Sequence, residues 1–425
     1  MHRMLSAAVL LLIAPTLSAQ VTVLHCERMV DTADGKLLGA HRIVVENDRI
    51  TAVQPGRSGP PADRSIELGT CLPGLMDMHV HLRGQNARDS YINRFTLNEA
   101  DWALQAAHYA NITLQAGFTT VRDMGDPNFE TVALRNAINR GMATGPRIFT
   151  AGKSIATTGG HADPTNGYRA DLMGDPGPVD GVIEGPDEAR KAVRYRYKRG
   201  VDTIKITATG GVMSLAKSGL NPQFTQAEAD AIVATASEYG LHVAAHAHGA
   251  EGMRRAVLAG VRSIEHGTFM DDEVIRLMKK QGTFWVPTLL AGAFVGEKAK
   301  IDGYLPEVVR VKAAAIGPQM SDTFARGYAA GVKIAFGTDS GVSPHGENAR
   351  EFALMVEGGM PPMEAIQAAT VTAAELLGEQ SQLGQLAPGY YADIVAVDGN
   401  PLDDIRILES VTFVMKGGDV FRHDQ

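Results

Sequence analysis

Cysteine is scarce in this 425-residue chain, where only Cys26 and Cys71 occur. Disulfides therefore cannot be the main source of stability, and a closed structural zinc site built on cysteine is excluded. Whether the two cysteines pair is open at this level. No run reaches the roughly 20 apolar residues that a bilayer-spanning helix needs. Basic residues neither cluster nor interleave with aromatics, and a net charge of -8 gives no footprint for nucleic acid. No glycine-rich phosphate fingerprint follows the first strand of the central region, which weakens a dinucleotide-binding reading. The composition that remains, 44% hydrophobic and 21% charged, is that of a globular protein with room for one large domain and a smaller one.

The first 19 residues have a basic start at Arg3, an apolar stretch from Leu5 to Ala14 and a small-residue end at Leu17, Ser18 and Ala19. They read as a secretory signal peptide, which predicts a secreted or periplasmic protein. The competing reading, a buried first helix, lacks a cap and is followed at once by polar sequence.

Short alternating runs fill residues 20–71, with an Asn47-Asp48 turn between two of them, and a similar texture returns over 381–425. Both ends are expected to build one discontinuous β-sandwich, with the N-terminal part antiparallel. Between them, residues 72–380 alternate apolar strands with amphipathic helical stretches. The strands read are "LMDMHVHL", "FTTVRDM", "RIFTAG", "DTIKITATG", "HVAAHAH", "RSIEHGT", "FWVPTLL" and "KIAFGTD". Eight strand-helix units predict an α/β fold, a parallel (β/α)8 barrel of the TIM type rather than an open doubly wound sheet. The Gly- and Pro-rich stretch 159–186 is a long loop of the kind that carries function.

Strand alternation places His79 and His81 on one face and Met78, Val80 and Leu82 on the other. Taken alone, two such histidines are as compatible with a packed ring and a solvated one as with a metal. Lys205 is flanked by Ile204 and Ile206, so if the isoleucines face the surrounding helices the ammonium faces the barrel interior. There it must be paired, neutralised or chemically altered. His246 and His248 share a face, His266 ends its strand before a glycine, and Asp339 is the last inward residue before a loop. All lie at the carboxyl ends of strands, where barrels of this type build active sites. Imidazole and carboxylate ligands suit zinc or a neighbouring first-row ion. His25, His41, His108, His242 and His423 read as packing or surface residues.

"PGLMDMHVHL", "TIKITATGG", "AAHAHG", "SIEHGT" and "FGTDSG", in this order and spacing, resemble the amidohydrolase superfamily. The resemblance is to the branch of imidazolonepropionase-like Xaa-Pro dipeptidases and ochratoxin-degrading amidohydrolases, and it runs over nearly the whole chain after the leader. It implies two divalent ions, zinc by default, with manganese or cobalt fitting the same ligands. It also implies one ion on His79, His81 and Asp339, the other on His246 and His266, and Lys205 bridging them as an N-carboxylated side chain. His248 and His161 match positions that face substrate in these relatives. Homo-oligomers are common among them.

A hydroxide shared by two ions is a nucleophile available at neutral pH. The expected reaction is hydrolysis of an amide in a dipeptide or N-acyl amino acid, ochratoxin A included, with Asp339 as general base. Arg83, Arg169 and Lys217 are candidates to bind a substrate carboxylate. Two other readings stay open: hydrolysis of a cyclic amide on the same barrel, and a secreted metal-binding protein without turnover. Deamination fits less well, because deaminase-type members use one metal and lack the bridging lysine.

Overall fold

The computed structural model describes residues 21–215 and 218–424. The leader and Lys217 fall outside the described residues. Eight parallel strands form the barrel: Leu75–Val80, Phe118–Asp123, Arg147–Thr150, Thr203–Thr207, His242–Gly249, Ser263–Phe269, Phe284–Val286 and the stretch 334–340. Three seams are held by isolated hydrogen bonds rather than long ladders, the seventh strand being joined to the eighth by Trp285 N to Lys333 O (2.8 Å) and Ala335 N to Trp285 O (2.9 Å). Asp202 N donates to Thr150 O (2.8 Å) and Ile155 N to Lys205 O (2.8 Å), joining the third strand to the fourth. Met78 N donates to Phe336 O (2.9 Å) and Asp339 N to His79 O (2.7 Å), closing the eighth strand on the first. The carboxylate of Asp339 is thereby stitched beside the two histidines.

Helices pack outside these strands. Gln226–Glu238 starts with a reciprocal cap between Thr225 and Glu228, and the chain turns back after it at Gly240 (φ 69°), a conformation that side chains with a Cβ resist. Ile204, Ile206, Ala245, Ala247 and Ile264 face those helices in the main apolar core. The strand alternation anticipated that division.

The seventh strand is shorter than its apolar run predicts. It ends at Val286 because Pro287 has no N–H to donate, and Thr288 (φ 53°) turns the chain into the helix Leu289–Lys298.

The chain's two ends meet in one eight-stranded sheet, in which the strands Ile394–Val397, Phe413–Lys416 and Asp419–His423 extend from Arg64–Pro73. The N-terminal part is mixed, not antiparallel throughout. Val21–Asp31 runs antiparallel to His41–Glu46 but parallel to Arg64–Pro73, because the latter must continue in line into the first barrel strand. Cys26 and Cys71 are disulfide-bonded between those two parallel strands. Among the described residues, no helix is long and apolar enough to cross a membrane.

Candidate metal centre and amide-binding cavity

The strand tips and the long loop after the third strand meet at one end of the barrel. His79, His81, His161, Lys205, His246, His248, His266 and Asp339 all line one cavity of about 220 Å³ at the carboxyl end of the barrel. His79 Nε2 and His81 Nε2 lie 3.6 and 3.3 Å from Asp339 Oδ1, and Lys205 Nζ lies 3.4 Å from His79 Nε2. The His246 and His266 rings are 4.7 Å apart, centroid to centroid, and His266 is 5.0 Å from His79.

The rings of His79, His81, His246 and His266 each have one nitrogen anchored, which decides what the other presents. His81 Nδ1 meets the Gly125 carbonyl oxygen at 2.9 Å, and His79 Nδ1 meets Glu265 Oε2 at 2.8 Å. Both partners only accept, so in the neutral rings the proton sits on Nδ1 and a lone pair on Nε2 faces the cavity. Burial holds both rings in that neutral form, His81 down to about 4 and His79 well below its usual value. His246 Nε2 meets Gly210 O at 3.0 Å, leaving Nδ1, and His266 Nδ1 meets Thr288 Oγ1 at 2.8 Å, leaving Nε2.

Three acceptors therefore face one another: two imidazole lone pairs and Asp339 Oδ1, which is shielded from solvent and has no hydrogen-bond partner. The ligand atoms of His79, His81 and Asp339 all lie within 4.8 Å of each other. Such a set repels itself unless a cation stands between its members, so these residues fit a divalent ion.

Burial raises the Asp339 carboxyl to about 7 and lowers the Lys205 ammonium to about 8, with the neighbouring carboxylates of Glu265 and Asp339 opposing the latter shift. His266 (φ 69°) and Asp339 (φ 58°) both occupy the left-handed region, as does Thr288, which holds His266. Left-handed backbone at non-glycine residues costs on the order of 1–3 kcal/mol each and concentrates at functional sites.

His248 Nδ1 is bound to Thr268 Oγ1 at 2.7 Å, so its Nε2 is the free ring nitrogen. His161 comes from the long loop after the third strand and stacks on His246 at 4.3 Å, with its Nδ1 buried and without a partner. Burial pushes both rings down to about 3, so both are neutral.

The residues behind the ligands escaped the sequence reading. Glu265 is fully buried and receives Arg122 Nη2 at 2.8 Å as well as the Ser263 hydroxyl. Arg122 Nε in turn donates to Met78 O at 2.7 Å. The available signal was alternation: Glu265 shares a face with Ser263 in a strand otherwise reading as core. Arg83 and Arg169 do not line the cavity. Arg83 lies over the Trp102 ring and pairs with Glu130, and Arg169 pairs with Asp171 at the surface.

This fold and this cluster are a barrel with imidazole and carboxylate acceptors gathered at its strand tips. The chain belongs to the amidohydrolase family, whose model matches residues 70–421, and it acts on amide bonds. It is 34% identical over 439 residues to the ochratoxinase of Aspergillus niger, covering 97% of this chain and 89% of that protein. Among solved structures it is similar to a Xaa-Pro dipeptidase with bound methionine in the active site, at 51% identity and a TM-score of 0.92, covering 95% of this chain and 100% of that one. It is also similar to a prolidase complexed with n-methylphosphonate-l-proline, at 33% identity and a TM-score of 0.87, with the same coverage.

Proposed function

We propose that this protein hydrolyses the amide bond of dipeptides or N-acyl amino acids at a binuclear metal centre. The observation that carries this reading is the convergence of His79 Nε2, His81 Nε2 and the partnerless Asp339 Oδ1 beside Lys205 and the His246–His266 pair. His79, His81 and Asp339 would hold one ion, His246 and His266 the other, and Lys205 both, as its carbamate. Zinc is the default metal for this ligand set. When bound, such ions supply an activated water at neutral pH and polarise a carbonyl.

The surroundings of Lys205 support carboxylation there. An ammonium held down to about 8 is in part a neutral amine, which can attack carbon dioxide, forming an N–C bond and releasing a proton. The product is an anion, matched to cations as the ammonium is not.

The chain's own residues do the rest. Asp339 takes a proton from the attacking water and returns it to the leaving amine nitrogen. When Thr268 Oγ1 donates to His248 Nδ1, the ring keeps its proton on Nε2 and offers a hydrogen bond to the developing oxyanion, with His161 the alternative group for that role.

Dipeptidase and ochratoxinase relatives support dipeptides and ochratoxin A as substrates. The leader and the Cys26–Cys71 bond support a location outside the cytoplasm.

The experiment is an assay of zinc-loaded protein on a panel of dipeptides, ochratoxin A and a cyclic amide, before and after chelation. Chelator-sensitive release of the amino acid is expected. Turnover that survives complete metal removal, or that is confined to the cyclic amide, overturns the reading.

A further inference from the structure

Beside the histidines, Lys205 and Asp339, the cavity is lined by a wall of thioethers and aliphatic groups, with Met124, Met213, Val295, Ile316 and Met320 facing the same space. Apart from the proposed ligands and the neutral His161 and His248, no titratable side chain lines it among the described residues. A charged substituent placed against that wall would lose its hydration with nothing to replace it, whereas an apolar one would gain about 25 cal/mol for each Å² it buries.

The wall's depth is set where two helices touch. In Leu289–Lys298, Ala291, Gly292 and Val295 face the cavity; in Glu307–Ala329, Ile316 and Met320 do so, one turn apart. The helices approach closely at Gly292, where an added Cβ would stand 2.4 Å from Met320 Sδ. The hydrogen at that position is what lets the Met320 side chain lie back against its neighbour helix. A side chain there would displace the thioether and add its own volume at the cavity lining. Three of the five wall residues named are methionine, whose unbranched chain re-packs around different shapes.

We propose that this wall is the specificity-determining surface: the enzyme takes small amides carrying one uncharged apolar or aromatic side group, tolerates variation in its shape, and rejects charged ones, with Gly292 and Met320 setting the size limit. The inference rests on the amide-hydrolase reading above and names its substrate class.

The test is kcat/KM for zinc-loaded protein on two dipeptide series, one varying the N-terminal and one the C-terminal residue through Ala, Leu, Met, Phe, Asp and Lys. In one series Leu, Met and Phe should exceed Asp and Lys by at least about tenfold, the scale on which apolar sites discriminate. Gly292→Ala should lower the Phe-to-Ala ratio in that series, and Met320→Ala should raise it. Ratios do not depend on the fraction of folded enzyme, so either variant alone suffices if the other folds poorly. A flat profile, a preference for charged residues, or ratios unmoved by both variants overturns the wall while leaving amide hydrolysis standing. Hydrolysis of no amide at all overturns both.

Discussion

Inside the barrel, Asp77, His79, Arg122, Lys205, Glu265 and Asp339 occupy buried positions where a core would ordinarily hold aliphatic groups, whereas the terminal sheet closes over Leu24, Ile43, Val45, Ile66, Ile394 and Phe413 with a disulfide among them. Both regions are made of short strands with the same alternation, yet one uses its inner face for apolar burial and the other for a charged network. Burying those charges costs stability unless each is hydrogen-bonded or ligated. The barrel meets that condition with a chain of contacts from Met78 O through Arg122 and Glu265 to His79, while Asp339 Oδ1, in the cavity, is left without a partner. Where the burial rules are broken and then repaired from behind, the protein does chemistry; where they are obeyed, it holds itself together.

The comparison predicts that changes in the two regions separate activity from stability. The largest effect is expected from Asp339→Asn, which keeps the size of the side chain but removes the base: kcat should fall by about 10²–10⁴-fold, with most of the metal retained by elemental analysis. Wild-type turnover in that variant would remove Asp339 from its role. On the other side, Cys71→Ser opens a link between residues 45 apart, and urea melts should show a loss of about 4 kcal/mol with kcat at low temperature unaltered. A matching loss of kcat would mean that the sheet is part of the catalytic device.

A smaller effect sharpens the link between the two layers of the site. Glu265→Gln replaces an acceptor-only group by one with a donor face, so it cannot serve both Arg122 and the His79 Nδ1 proton. Metal affinity, read by competition with a chelator, should weaken by about 10–100-fold, the usual effect of disturbing the group that orients a histidine ligand. Affinity equal to the wild type would show that His79 needs no support.

The smallest effect concerns acid. His345 stacks on Tyr109, its Nε2 meets Gly84 O at 3.0 Å, and burial lowers it to about 4 from an ordinary 6.5. Its folded value lies below its unfolded one, so the unfolded chain takes the proton first as pH falls. Stability from this group is complete above about pH 6.5 and is lost as pH drops toward 4. Between pH 7.5 and 5.5 the wild type should lose about 1 kcal/mol more than His345→Gln in urea melts of metal-free protein. Identical slopes would place His345 in contact with solvent.

The proposed ligands stand out in the sequence because a lysine between two isoleucines, or two histidines sharing one face of an apolar strand, contradicts the period-2 pattern around it. The barrel was legible because eight such strands recur with helices between them. Three things were not. Glu265 and Arg122 look like surface charges until their strands are known to be buried on both faces. The parallel pairing of Val21–Asp31 with Arg64–Pro73 depends on where the chain goes next, and alternation carries no information on that. The seventh strand's early end turned on Pro287 and a left-handed Thr288, whose purpose, holding His266, is visible only in three dimensions.

The most direct test of the central claim is the metal content of purified, zinc-saturated wild type beside Lys205→Ala, each measured as ions per chain. The account predicts two ions in the wild type and loss of metal together with activity in the variant. Two tightly held ions in Lys205→Ala, or a wild type that saturates at one, would contradict it.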